Sequence, residues 1–326
     1  MPERRADVES VDWAALEVHG EPAEVPAAFR AIWSADENRR RAGYDRLAEL
    51  LAHGMSSSPA AIAAVPFLID VVADPAAPSR FAACQVLLQI AIGEEEITLN
   101  ERTDFAFWRR EAERKAGLTV EQLRAEQAAW VAATTDPAER RAREVAVKFR
   151  DVEEERTAER VNAEAYDAVR AGVPVYLTAL SAGDTATRIY AAQLLAYFPE
   201  DAAVIVPALL ALVAGNDPVT AAAAAVAAGI CARGTEDPAA AAALTARWTG
   251  ARDLVLRCAT AIGLAQLLNR PSPEILADVE NATEAPDPIA GFPFMDGDIA
   301  AVAGYTLDRI EGLHRLPPGP WAEQQA

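Results

Sequence analysis

The chain has 326 residues, 52% of them hydrophobic but only 6% aromatic, and carries 49 acidic against 30 basic side chains for a net charge of −19. A field of that sign repels nucleic-acid phosphates and anionic membranes and steers basic protein partners. The hydrophobic excess is Ala and Leu, both strong helix formers, so composition favours helices throughout.

Residues 1–11 are charged and lead into no apolar run, which predicts a loose start and no secretory leader. Residues 12–18 predict a short helix with Trp13 and Leu16 on one face, placed to cover the open end of a helical stack. A phrase then recurs. Val65-Pro66-Phe67-Leu68-Ile69 leads to Asp74, Arg80 and a second apolar run through Leu88, with Pro66 expected in the first turn of its helix. Pro26 leads to Ile32 and Trp33, then Asp36, Arg40 and a helix of Leu47, Leu50 and Leu51. The residues from Gly54 to Pro59 between these two copies read as a loop.

At Glu94 the phrase stops, and residues 94–165 form a densely charged helical insert. Thr103 or Asp104 caps a helix containing Phe105, Phe107 and Trp108, and Thr119 with Gln122 makes a capping box before Leu123 and Trp130. Asp136, Pro137 and Glu139 start another. The stretch from there to Gly172 is one long helix or two; the scarcity of apolar residues between Val152 and Val161 favours a break near 151–157.

The phrase returns at Pro174, with Asp184 and Arg188, and at Pro207, with Asp217. A copy without Pro has Asp253 and Arg257. Pro207, like Pro66, is expected in a first turn. Pro271-Ser272-Pro273 opens a further helix, Phe292 and Phe294 lie in a Pro-rich loop, and Asp296 or Asp298 caps a final helix over residues 299–310. Residues 313–326 read as a flexible tail. A single two-helix unit cannot bury its own apolar faces, so the copies in residues 1–93 and 166–312 are expected to stack.

The order of Pro66, Asp74 and Arg80 resembles a HEAT repeat. Arg40, Arg188 and Arg257 follow their Asp by four positions, a looser match, and the copy with Asp217 has no Arg there. The segment from Phe292-Pro293-Phe294 to Gly297-Asp298 is similar to actinobacterial HEAT-repeat proteins. The resemblance covers residues 24–93 and 172–311. It implies an all-α fold, a right-handed superhelical solenoid of about five to seven hairpins. In that family the Pro bends the first helix, and Asp and Arg tie neighbouring turns together.

Chemistry is scarce. His19, His53 and His314 are far apart in sequence and sit near helix ends, where an imidazolium is favourable, so they read as capping groups rather than metal ligands. Cys84, Cys231 and Cys258 are scattered through apolar runs, against a disulfide framework and for a reducing cytoplasm. No phosphate loop, dinucleotide fingerprint or nucleophile elbow occurs, and no cofactor is expected. Asp296-Gly297-Asp298 lacks the later ligands of a calcium loop. The runs Glu94 to Glu96 and Glu153 to Glu155 read as solvated faces. Trp108, Arg109 and Arg110 are residue types of binding hot spots; Trp108 reads equally as contact or core, and Trp130 as core.

The expected function is a non-catalytic scaffold gripping a protein or peptide, of basic character, in a concave acidic surface. Two alternatives stand beside it: an immunity protein neutralising a basic toxin, and an enzyme on a HEAT-like fold. HEAT-like folds include bilin lyases and alkyl-DNA glycosylases, and the latter class conflicts with the charge.

Overall fold

A computed structural model describes residues 5–54, 56–100, 105–148, 151–285 and 287–312. The N-terminal part runs α1 (Arg5–Ser10), a 3-10 turn (Trp13–Ala15), α2 (Glu24–Ala31), α3 (Glu37–Leu51), the two-residue strands β1 (Ala52–His53) and β2 (Ser56–Ser57), α4 (Pro59–Ala73) and α5 (Arg80–Ile92). The insert adds α6 (Glu95–Asn100), α7 (Phe105–Ala116), α8 (Val120–Ala132), α9 (Pro137–Lys148) and α10 (Val152–Arg170). The C-terminal part holds α11 (Val173–Ala179), α12 (Thr185–Leu195), α13 (Ala202–Val213), α14 (Pro218–Cys231), α15 (Pro238–Gly250), α16 (Leu254–Leu267), α17 (Pro273–Ala282), a 3-10 turn (Phe294–Gly297) and α18 (Ile299–Glu311). Among the described residues the protein is all-helical apart from the antiparallel pair β1–β2. Among the described residues, no single helix is long and apolar enough to cross a membrane.

The helices pair as α2/α3, α4/α5, α11/α12, α13/α14, α15/α16 and α17/α18, six hairpins among the described residues. Their second helices pack in succession: α3 on α5, α5 on α12, α12 on α14, α14 on α16 and α16 on α18. Side-chain caps set most of the restarts. Asp36, Asp184, Asp217, Asp253 and Asp298 each accept a backbone N–H three residues on, which satisfies a donor the helix itself leaves open. Asp74 differs, because it accepts from Ala76 N at 2.9 Å, and the residue before α5 is Ser79 in a left-handed conformation.

The core follows from small residues. α14 is buried from Thr220 to Cys231, mostly as Ala. It crosses α16 where Gly229 meets Gly263: a Cβ on Gly229 would lie 2.1 Å from Gly263 O, and one on Gly263 2.3 Å from Ala225 O. Only hydrogen side chains let the two backbones approach so closely.

Several expectations change. Pro26 and Pro174 do lie in first turns, but Pro66 and Pro207 lie inside α4 and α13. Both helices start earlier, at Pro59 and Ala202, so the recurring Pro marks a helix interior there and leaves a carbonyl without its usual donor. Residues 12–18 form only the 3-10 turn, and the stretch expected as a loop carries the ladder Ala52–Ser57 and His53–Ser56. The chain breaks between α9 and α10, with Asp151 capping α10 through Glu153 N and Glu154 N. Of the two caps offered for α18, Asp298 forms. The Thr103 or Asp104 cap, the Phe107 side chain, His314 and the tail lie outside the described residues.

Candidate functional site

Arginines stitch the turn side of the molecule. Arg40 Nε donates to Ser79 Oγ of the next hairpin at 3.4 Å, and Arg40 Nη1 donates to the carbonyls of Ser34 and Ala35 in its own turn. Arg80 donates to Val72 O, and its Nη1 lies 3.9 Å from Asp184 Oδ2 of the next hairpin. Arg257 pairs with Asp278 on α17 at 2.8 Å, and Arg247 donates to Gly215 O of the preceding turn at 2.9 Å. Arg188 stays within its own turn, on Ala182 O and Gly183 O. Asp217 binds Thr220, and Asp253 caps α16. These guanidiniums are structural ties that satisfy carbonyls at helix ends.

Part of the second-helix layer is covered by the chain itself. α6 packs on α18, and the turn Phe294–Gly297 packs on both. Glu95 is the knot: its Oε1 accepts from Gln193 Nε2 at 2.9 Å and from Tyr197 OH at 2.7 Å, and its Oε2 accepts from Met295 N at 2.9 Å. Burial pushes this carboxyl above the ordinary range, opposed by those three donors and reinforced by Asp296. At the other end of α6, Arg233 donates to Thr98 O at 3.0 Å and Leu99 O at 3.3 Å. Leu99 is fully buried. The acidic run predicts a solvated Glu95; the structure leaves the residue half-buried and its carboxylate held, because donors from two distant segments, residues 193–197 and Met295, converge on it.

Among the described residues, the first helices leave a groove. α2 and α4 flank a depression of about 550 Å³ floored by Phe29, Phe67 and Val71, with Trp33 on its wall. Trp13 packs beside Phe29 and Phe67 with centroids 6.2 and 6.5 Å away, and its indole N–H holds Val8 O at 2.8 Å, seating α1 along one edge. Among the described residues the rim carries Glu9, Asp70 and Asp74 against one cation, Arg30. Arg30 is paired with Glu9. Aromatic floor plus acidic rim suits an apolar anchor with a positive charge beside it.

The three hot-spot residues of the insert separate. Trp108 is 44% exposed. Arg110 is also exposed. Arg109 instead bridges the insert to the hairpins: it donates to Asp167 at 2.8 and 2.9 Å and to Glu200 at 2.6 Å, with its guanidinium 5.4 Å over the Tyr166 ring. Trp130 lies half-buried under Arg143, 4.7 Å from the ring centroid. The insert's interior mixes apolar residues such as Leu123, Val152 and Val161 with polar ones, Lys115 being buried against Glu159.

His19 and His53, distant in sequence, have ring centroids 5.9 Å apart at the end of α3. Among the described residues no cluster of three or more His, Cys, Asp or Glu has metal-binding geometry. The three thiols are free and buried, and burial raises Cys84 and Cys231 to about 12, which keeps them protonated and unreactive. No sequence signal marks Glu95, whose partners lie about a hundred and two hundred residues away. The groove residues are visible in the sequence only as apolar positions in first helices.

Compared with known proteins, the sequence matches no family model and no curated protein.

Proposed function

We propose that the chain is a non-catalytic, HEAT-like right-handed solenoid that binds a basic protein or peptide in a reducing cytoplasm. The hairpin row, the arginine ties between turns and the three protonated thiols support that reading. In this reading the partner binds the groove between α2 and α4, because α6 and the Phe294–Gly297 turn already cover the second-helix layer at α18.

The observation that carries the proposal is that groove, an aromatic floor rimmed by Asp70 and Asp74 on a chain of net charge −19. Long-range charge steers the partner in, and the desolvated aromatic floor supplies the affinity. The test is a titration, followed by tryptophan fluorescence, with a twelve-residue amphipathic Lys/Leu peptide. Micromolar binding that weakens with salt is expected. Trp33→Ala should weaken it about tenfold or more and Asp70→Asn several-fold, the size of a lost hot-spot contact and a lost rim charge. Glu280→Gln, an exposed acid elsewhere, should leave it unchanged. Equal affinity in all three variants would reduce the binding to unspecific charge attraction and sink the proposal.

A further inference from the structure

The described residues end at Gly312, the left-handed residue that stops α18. The sequence goes on as Leu313-His314-Arg315-Leu316-Pro317-Pro318-Gly319-Pro320-Trp321. This stretch carries His314 and Arg315 and no acid between Glu311 and Glu323, in a chain of 49 acidic and 30 basic side chains. It also sets Pro317 and Pro320 three residues apart, with Arg315 just ahead of them. Proline holds φ near about −65°, so a run rich in it gives up little backbone freedom on binding. Residues three apart share one side of the extended left-handed helix that such runs favour. Aromatic-lined grooves take Pro-x-x-Pro segments for these reasons.

The groove between α2 and α4 has the matching chemistry. Its lining comes from α1, α2, α4 and the turns that follow α2 and α4. Phe29, Phe67 and Trp33 offer ring surface to prolines, and Asp70 and Asp74 lie where they can receive a guanidinium. Reach decides which copy supplies the segment. From α18 the outer surface crosses α17, α15, α13 and α11 before α4, five steps of about 9 Å each, or about 45 Å. The nine residues from Leu313 to Trp321 extend to about 30 Å at most. We propose that the Arg315–Trp321 segment of one copy occupies the α2/α4 groove of a second copy. Pro317 and Pro320 lie on the aromatic floor, and Arg315 meets the rim carboxylates. The proposal rests on the groove being a site for a cationic chain with an apolar anchor, and it names that chain as the protein's own. Each copy holds one groove and one segment, so the contact is returned within a pair. The net charge of −19 on each copy opposes association everywhere else on the surface, and the basic stretch offsets it at this contact.

The experiment uses the full chain and a fluorescein-labelled peptide of residues 313–322, read by anisotropy, with sedimentation of the full chain over a concentration series. The peptide should bind, and the full chain should pass from monomer to a larger species as concentration rises. Arg315→Glu in the peptide and Trp33→Ala in the chain should each weaken peptide binding about tenfold or more. Arg315→Glu in the full chain should keep it monomeric at every concentration with its helical circular dichroism unchanged. Excess unlabelled peptide should return the wild-type chain to monomer. A peptide that binds no better than its Arg315→Glu form overturns the proposal. A wild-type chain that stays monomeric throughout, although the peptide binds, overturns it equally, because the segment then does not reach a second copy's groove. The Lys/Leu peptide separates this failure from failure of the groove. If that peptide binds with its Trp33→Ala loss and the 313–322 peptide does not, the groove stands and only its occupant is wrong; if neither binds, both proposals fall.

Discussion

Gly263→Ala tests the packing on which the hairpin row rests. Alanine is the better helix former by about 1 kcal/mol, so propensity alone predicts a gain. Geometry predicts a loss. The new methyl carbon would lie 2.3 Å from Ala225 O and 2.9 Å from Ala225 C, both backbone atoms that no rotamer change can move. A carbon–oxygen contact relaxes near about 3.3 Å, so α14 and α16 must part by about 1 Å. Parting them loosens a face of α14 that is buried along its length. Overpacking of this kind costs about 3 kcal/mol, and the propensity gain offsets about 1, leaving a net loss of about 2 kcal/mol. Gly304→Ala is the control, because a Cβ there meets nothing within 4 Å and the site is inside α18. It should stabilise by up to about 1 kcal/mol. Urea unfolding followed by circular dichroism reads both. The same chemical change should move the midpoint in opposite directions, and a Gly263→Ala midpoint at or above wild type would refute the close-approach reasoning.

Three further outcomes rest on named contacts. Arg80, 10% exposed, holds Val72 O at the end of α4, so Arg80→Met should cost about 2 kcal/mol, whereas Arg188→Met, which loses bonds only to its own turn, should cost no more than about 1; paired urea midpoints check this. Arg109→Ala should lower stability by about 2 kcal/mol through lost bonds to Asp167 and Glu200, while Arg110→Ala should leave the melting curve unchanged, and equal effects would remove Arg109 from the junction. Glu95 carries a carboxyl raised in the folded state, with Asp296, Tyr190, Tyr197 and Arg233 around it. Its contribution is therefore full below the unfolded carboxylate pKa and is lost as pH rises through the folded one. The stability difference between wild type and Glu95→Gln should move in favour of wild type between pH 7.5 and about 4. A pH-independent difference in urea midpoints would show that the carboxyl is not displaced.

Local signals are legible in the sequence wherever the chemistry is local. The capping box of Thr119 and Gln122 forms as read, and the turn residues Asp36, Asp184, Asp217 and Asp253 cap the helices that follow them, because each partner lies within three residues. The start of α4 is hidden because Gly54 to Pro59 has loop composition, and a two-residue ladder leaves no period to detect. Pro66 is misplaced because Ser58-Pro59, a residue of cap type followed by Pro at the helix start, reads as part of that loop, and Pro207 because α13 extends upstream on Ala and Val. Gly229 and Gly263 do carry one, since an isolated Gly inside a helix is costly and points to a close approach. Glu95 carries none. Its donors come from residues 193, 197 and 295, and only the fold brings them together.

A row of two-helix hairpins makes two layers, and the second helices of two layers keep one side open. α14 and α16 are buried on every side over most of their length, so a third layer is present. α6, the residues around Phe292 and Phe294, and the Phe294–Gly297 turn supply it, reaching the row at Gln193, Val219 and Arg233. The Ala-rich composition makes that layer necessary, because small side chains remove little apolar area per residue and two layers of them bury too little to offset chain entropy. Aromatic residues concentrate where the layers end or join: Trp13, Phe29 and Phe67 at the first hairpins, Phe105, Tyr166 and Phe198 at the insert junction, and Phe292 with Phe294 in the third layer. Of these clusters, the first floors a groove among the described residues, where aromatic surface lies with carboxylates beside it.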